Sequence, residues 1–243
     1  MMDLSSRCFV KGGRSVILPR FHFVNDFTPF PELILAHGGV RENVPKGATL
    51  YEAHAQERTH SYYVESGVTK LTMINEEGTE NILFFMGKGS IYPINRFSDT
   101  FSMEYFMHLT AVTDLTVIRF PSSQLVDMAQ ADRAFTEAII DHYCRYCNLL
   151  LAKNLLNTYN DSEQLVCSFL YLYVYDRPAL QNMVDMTQEE IGKITGLSRM
   201  QITRIVNHLR TDHIIETHRG RIQILRLSEL KKRCAALING PEG

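Results

Sequence analysis

The chain has 243 residues, 45% of them apolar, and a formal charge of −2, enough for one large or two smaller cores of ordinary soluble composition. No run approaches the roughly 18 to 20 apolar residues that span a bilayer. Arg7, Lys11 and Arg14 interrupt the start where a signal peptide needs an apolar stretch, so a cytoplasmic protein without a membrane partner is expected. The five cysteines, Cys8, Cys144, Cys147, Cys167 and Cys234, are an odd set for a disulfide framework and are expected to be reduced.

From Phe21 to about Phe120, short β-rich runs alternate with turn residues. Ser61-Tyr62-Tyr63-Val64 precedes Glu65-Ser66-Gly67, Val68 to Met73 precedes Asn75-Glu76-Glu77-Gly78, and Asn81-Ile82-Leu83-Phe84-Phe85 comes next. Strands at this spacing predict a small barrel or jelly roll, whose aromatic residues Tyr62, Tyr63, Phe84, Phe85, Phe101, Tyr105 and Phe106 are expected to be mostly core. The period then becomes helical, with a short helix from Pro121 to about Gln130 and a long one from Ala131 to about Leu156. Phe135, Ile139, Tyr143, Tyr146, Leu149, Leu150 and Leu156 go most of the way round the long helix. One face on a barrel and another on a twin helix accounts for that, with Tyr146 and Leu149 expected at the twin; a core helix of a monomer is the alternative. Asn157-Thr158-Tyr159-Asn160-Asp161 reads as a polar hinge, and Gln164 to Tyr175 as an apolar helix packed beneath the segment that begins at Thr187.

Thr187-Gln188-Glu189-Glu190 carries the Ser/Thr-x-x-Glu pattern of a helix start, and Ile191 and Ile194 lead to a stop at Gly196. Ser198 is a second N-cap, after which Ile202, Ile205, Val206 and Leu209 form a buried stripe. The opposite face holds Arg199, Gln201, Thr203, Arg204 and Asn207. Arg can bridge guanine O6 and N7, Gln and Asn can pair with adenine, and Thr can meet a phosphate or a thymine methyl. Ile214-Ile215, then Thr217-His218-Arg219-Gly220-Arg221, then Ile222 to Leu225 predict a hairpin with a basic tip, Arg219 and Arg221, for the phosphate backbone. Ten Lys or Arg lie between Thr187 and the end against six acids, so the remainder of the chain carries −6. That asymmetry fits one segment that binds double-stranded DNA.

The order barrel, long helix, hinge and winged helix-turn-helix, with Glu190-Ile191-Gly192-Lys193-Ile194-Thr195-Gly196-Leu197-Ser198-Arg199 and Thr203-Arg204, resembles the CRP/FNR family of bacterial transcription regulators. Tyr63 to Leu71 and Glu77-Gly78-Thr79-Glu80 match its barrel. The fold implied is α+β: a cyclic-nucleotide-binding-like β-barrel over residues 1–130, a dimerisation helix and hinge over 131–160, and a winged helix-turn-helix over 161–243. The family also implies a homodimer on a palindromic site, an effector between barrel and central helix, and RNA polymerase as partner.

Gly89-Ser90-Ile91-Tyr92-Pro93 stands where nucleotide-binding members carry Gly-Glu, and no Arg-Ser/Thr-Ala comes after it, so cyclic AMP is not expected. Cys8 alone cannot ligate an iron–sulfur cluster, and no cofactor is expected. Tyr92-Pro93, Asn157 to Asn160, Ile191 to Gly196 and Ser228-Glu229-Leu230-Lys231 resemble the halogenated-phenol-responsive regulators. Their ligand-contacting Tyr and Lys on the central helix correspond to His142 and Arg145, a barrel tyrosine to Phe85, and the lysine after the barrel glycine to Ser90. The resemblance thus implies a small aromatic or carboxylic anion at Phe85, Gly89, Ser90, Tyr92, Arg96, His142, Arg145 and Tyr146.

The bland readings are an Arg145–Asp141 ion pair one helical turn apart, a core histidine at His142, and burial of Cys144 and Cys147, which lack a second metal-ligating pair. Two alternatives differ in class. A redox sensor would use the cysteines, with Cys8 and Cys234 placed to meet across a dimer. A cupin-like metal enzyme would need His54, His60 and His108 to cluster, and no catalytic motif otherwise appears.

Overall fold

The computed structural model describes residues 9–11, 14–16, 22–23, 27–52, 60–76, 78–94, 106–159, 161–175 and 181–235. Cys8, His54, Arg96, Phe101 and Tyr105 lie outside them. Close packing divides the chain into two units, one of residues 21–146 and one of 1–20 with 147–243.

The first unit contains two sheets. One has the order β3 (His22–Phe23), β8 (Glu80–Met86), β7 (Thr69–Ile74), β10 (Phe106–Ala111), β5 (Thr49–Glu52); the other runs β4 (Val40–Val44), β11 (Leu115–Pro121), β6 (His60–Ser66), β9 (Ile91–Tyr92). All pairings are antiparallel except β3 with β8. In β11, Leu115, Val117, Ile118 and Phe120 are buried and Thr116 and Arg119 half-buried, so the two-residue alternation breaks at Val117–Ile118. One stretch read as strand-like is a short helix, α1 (Pro31–Ala36), with proline in its first turn, where a missing N–H costs nothing. Phe27, Phe30 and Ile34 from this region join Tyr63, Ile91, Ile118 and Phe120 in a core that α2 (Gln124–Ala131) closes through Leu125 and Met128 and α3 (Arg133–Tyr159) through Phe135. The Phe135 ring lies 5.6 Å from Phe27 and 5.2 Å from Phe30.

The second unit holds a hairpin, β1 (Phe9–Lys11) with β2 (Arg14–Val16), and the helices and sheet of the C-terminal segment. α4 (Ser162–Val174) is almost wholly buried from Val166 to Leu172, as a central helix must be. Around it pack α5 (Gln188–Thr195), α6 (Arg199–Thr211), α7 (Leu227–Lys232) and a sheet ordered β12 (Met183–Val184), β14 (Arg221–Ile224), β13 (Ile215–His218). β12 was not legible in the sequence. α3 continues through the expected hinge to Tyr159, and Asp161 then caps α4: its carboxylate accepts from Gln164 N at 2.8 Å. Among the described residues no helix is long and apolar enough to cross a membrane.

Candidate nucleic-acid interface and effector site

Both helices of the expected reading unit start as their sequences require. Thr187 Oγ1 accepts from Glu190 N at 3.2 Å while the Glu190 carboxylate accepts from Thr187 N at 2.9 Å. α5 stops at Gly196, whose φ of +72° is costly for any residue with a Cβ. A Cβ on Gly192 would lie 2.8 Å from the Leu197 carbonyl, so the turn between α5 and α6 closes only over glycine there. Ser198 caps α6, accepting from Gln201 N at 3.3 Å, and Gln201 Oε1 accepts in return from Ser198 N at 3.0 Å and from its hydroxyl at 2.8 Å. Ser198→Ala is expected to cost about 1 kcal/mol, read as a lower thermal midpoint of this unit.

Ile202, Ile205, Val206 and Leu209 are buried, and Arg199, Met200, Thr203, Arg204 and Asn207 are exposed on the other face. Met200 is 83% exposed on that face. Gln201, expected on the reading face, also serves the cap through its amide oxygen. In the wing, Arg219 and Gly220 form the turn and are exposed, and Arg221 pairs with Asp185 at 3.3 Å.

A polar cleft of about 700 Å³ opens beside the recognition helix, lined by the start of α4, by Arg204, Ile205 and His208, and by Lys232 and Arg233. A ring of polar contacts ties these helices together. His208 Nδ1 lies 2.8 Å from Glu163 and its Nε2 3.5 Å from Asp212; Arg233 reaches Glu163 at 3.2 Å and Asp212 at 2.5 Å. The hydrogen bond from Arg233 holds the Asp212 carboxyl below its ordinary range. That contribution is therefore present above the ordinary carboxylate pKa and lost as pH falls below it.

The expected effector residues all fall in the first unit except Arg96, which lies outside the described residues. Phe27 joins two of them. Its amide donates to the Gly89 carbonyl at 2.7 Å and its ring lies 5.8 Å from that of His142. Gly89 takes φ +84° in the turn before β9, and Ser90 is 1% exposed, its carbonyl accepting from Val64 N at 2.9 Å. Burial pulls the His142 imidazole down to about 4, so it is neutral at physiological pH. Arg145, nearly one turn further along α3, lies 3.9 Å from Asp141, a long contact between two partly exposed groups. The Tyr146 ring meets Phe84 edge-on at 5.3 Å. Phe85 is next to Phe84 in β8, so its side chain leaves the opposite face of the strand. Tyr92 packs edge-on against Tyr51 at 5.5 Å, with its hydroxyl 3.8 Å from Met107 Sδ. Phe27 thus links the Gly89 turn to His142, Tyr146 meets Phe84, and Tyr92 packs on Tyr51.

The cysteines also depart from expectation. Cys144 and Cys147 are exposed on α3, not buried. Cys234 is buried, its thiol pushed up to about 12 and bonded to the Leu230 carbonyl at 3.3 Å, so it is not the mobile terminal thiol that the sequence implied. Its neighbour Ala235 donates to the Ser168 hydroxyl at 2.9 Å, which docks this end of the chain on α4.

A family model of the Crp-like helix-turn-helix domain matches residues 164–233, and one of the cyclic nucleotide-binding domain matches residues 41–132. The chain has the fold of a CRP/FNR-type DNA-binding transcription regulator. Among solved structures, FixK2 from Bradyrhizobium japonicum is similar at 19% identity and TM-score 0.65, over 82% of this chain and 98% of that one. The c-di-GMP-responsive regulator CLP of Xanthomonas campestris is similar at 17% identity and TM-score 0.66, over 79% and 96%. CprK complexed with OCPA is similar at 20% identity and TM-score 0.59, over 87% and 98%. No match was found among curated protein sequences.

The helix-turn-helix domain implies DNA binding. Arg204, exposed one turn into α6, has the reach to bridge a guanine. Arg204→Ala is expected to weaken binding to a selected duplex by about 1 to 3 kcal/mol, with the loss confined to one guanine per half-site. Competition with single-base variants of the duplex measures it.

Proposed function

We propose that this protein is a cytoplasmic, homodimeric regulator that binds a near-palindromic promoter site, recruits RNA polymerase and responds to a small aromatic or carboxylic anion, not to cyclic AMP. The observation that carries the effector class is the make-up of the Gly89–Ser90 turn and the α3 residues beside it. Ser90 is neutral and buried, His142 is neutral, and Arg145 is a cation three residues further along the same helix. A guanidinium stays charged when partly buried and grips a carboxylate or phenolate through two parallel hydrogen bonds. Phe84 and Tyr146 supply an apolar wall for a ring. A nucleotide phosphate would lack the Glu and Arg-Ser/Thr-Ala set that holds its ribose and phosphate in nucleotide-binding members. The neighbour CprK is described as complexed with OCPA, which agrees with a ligand other than a nucleotide in this fold.

The ligand shifts the reading heads only by as much as it prefers one dimer arrangement over the other. Arg145→Ala is therefore expected to abolish the effect of the ligand on DNA affinity and to leave fold and dimerisation unchanged. Titration calorimetry against a panel of aromatic carboxylates, halogenated phenols and cyclic AMP tests the reading. Micromolar binding of an aromatic anion that the variant loses supports it; tight cyclic AMP binding, or an unaltered response in the variant, overturns it. Met200, where the family's base-reading glutamate stands, favours a thymine methyl, so the selected half-site should depart from the common family consensus at that base.

A further inference from the structure

We propose that Gln188 and Thr203 form a sequence-reading pair in which Gln188 takes the only hydroxyl hydrogen of Thr203 and so makes Thr203 an acceptor-only reader of amine-bearing bases. The proposal rests on α6 being the helix that reads DNA.

Thr203 Oγ1 donates to Gln188 Oε1 at 3.0 Å, from α6 across to the first residue of α5. This is an unusual use of a helical threonine. The hydroxyls of Thr195 and Thr211 fold back on their own helices, donating to the carbonyls of Ile191 at 2.8 Å and Asn207 at 3.0 Å, four residues earlier. Thr203 instead reaches its neighbouring helix and is exposed, on the same face as Arg199, Met200 and Asn207 at the spacings of three and four that share a helix surface. With Gln201 held in the cap, Thr203 is one of five side chains left on that face.

A threonine hydroxyl has one hydrogen and two acceptor lone pairs. Unpartnered, it rotates to donate to guanine or thymine oxygens or to accept from cytosine or adenine amines, and discriminates little. Bonded to Gln188 Oε1, which can only accept, it keeps acceptor capacity alone. In the major groove only cytosine N4 and adenine N6 offer a hydrogen to such an oxygen; guanine O6 and thymine O4 meet it lone pair to lone pair. Gln188 is thus a positioning residue that acts through Thr203.

The test uses the duplex that the full-length protein selects and competitors carrying each of the four bases at every half-site position. The wild type is expected to prefer adenine or cytosine at one position by roughly three- to tenfold, the worth of one hydrogen bond. Thr203→Val, which keeps the shape and loses the oxygen, should bring that ratio close to one. Gln188→Ala should admit guanine and thymine to within about twofold of the preferred base, as the freed hydroxyl donates again. Thr203→Ser and Gln188→Glu, which keep the hydroxyl and the accepting oxygen, should retain the ratio whatever they do to overall affinity. If Thr203→Val weakens all competitors equally, the contact is a structural staple and the proposal fails; unchanged ratios in both Thr203→Val and Gln188→Ala overturn it likewise. A wild type with no base preference at any position overturns the DNA-reading assignment of α6, and the pair with it.

Discussion

Leu151→Lys is expected to convert the protein to a monomer in sedimentation velocity and to weaken binding to its selected duplex at least a hundredfold. α3 shows why. Ile140 is 56% exposed and Leu151 60%, and with the exposed Cys144 and Cys147 they keep the 4-3-4 spacing of a two-stranded seam. Leu150 and Leu155 widen the strip, at 39% and 43% exposed. A lysine in that seam must be desolvated against its symmetry mate, and like charges across a two-fold repel. A dimer on two half-sites gains about 10² to 10⁴ over one head through effective concentration, and the monomer loses that factor. The structure moves this test away from Tyr146 and Leu149, where the sequence placed it. Tyr146 already packs on Phe84, and Leu149 is fully buried in the protomer, so charges there would disturb the protomer's own fold. A monomer–dimer equilibrium unchanged by Leu151→Lys would remove α3 as the interface.

His142 is expected to make the barrel unit acid-sensitive. Burial brings its pKa from 6.5 down to about 4, so below 6.5 the unfolded chain takes up a proton that the folded chain refuses until about pH 4. Stability is fully present above the unfolded value and declines through that window, by on the order of 3 kcal/mol in total and about 2 kcal/mol at pH 5. Urea midpoints at pH 7.5 and pH 5 measure the loss. His142→Phe, which keeps a ring beside Phe27, should flatten the difference; an equal pH dependence in wild type and variant would assign the sensitivity to other groups. An imidazole that resists protonation also serves the proposed effector, because a neutral ring can accept or donate one hydrogen bond beside an aromatic acid without a second charge.

The C-terminal unit was the more legible half because its signals are local. Two hydroxyl caps, a glycine stop and one buried stripe specify α5 and α6 within a span of about seven turns, and each forms as read. The strand-rich texture of the barrel and the length of α3 were legible for the same reason. What the sequence hid depends on contacts distant along the chain. α1 is one and a half turns held by Phe27, Phe30 and Ile34 in a core with Ile118 and Phe120, too short for periodicity to separate from a strand. α3 is apolar on most sides, so spacing alone does not say which side its own barrel takes. Burial of Phe135 and His142 and exposure of Ile140 and Cys144 decide that. Cys234 looked terminal and is docked through Ala235 on Ser168; Phe84, not its neighbour Phe85, faces Tyr146. Gln201 and Gln188 carry side chains that suit DNA but spend their oxygens on Ser198 and Thr203, an allocation visible only in three dimensions.

Selection of the full-length protein against a library of random-sequence duplexes addresses the central claim, that α6 reads bases as one of a symmetric pair. The expected result is an inverted repeat whose half-sites lie about 10 base pairs apart or a multiple of that, each with a guanine whose enrichment disappears in Arg204→Ala. Enrichment of no sequence, or of a single unrepeated element left intact by that substitution, would contradict it.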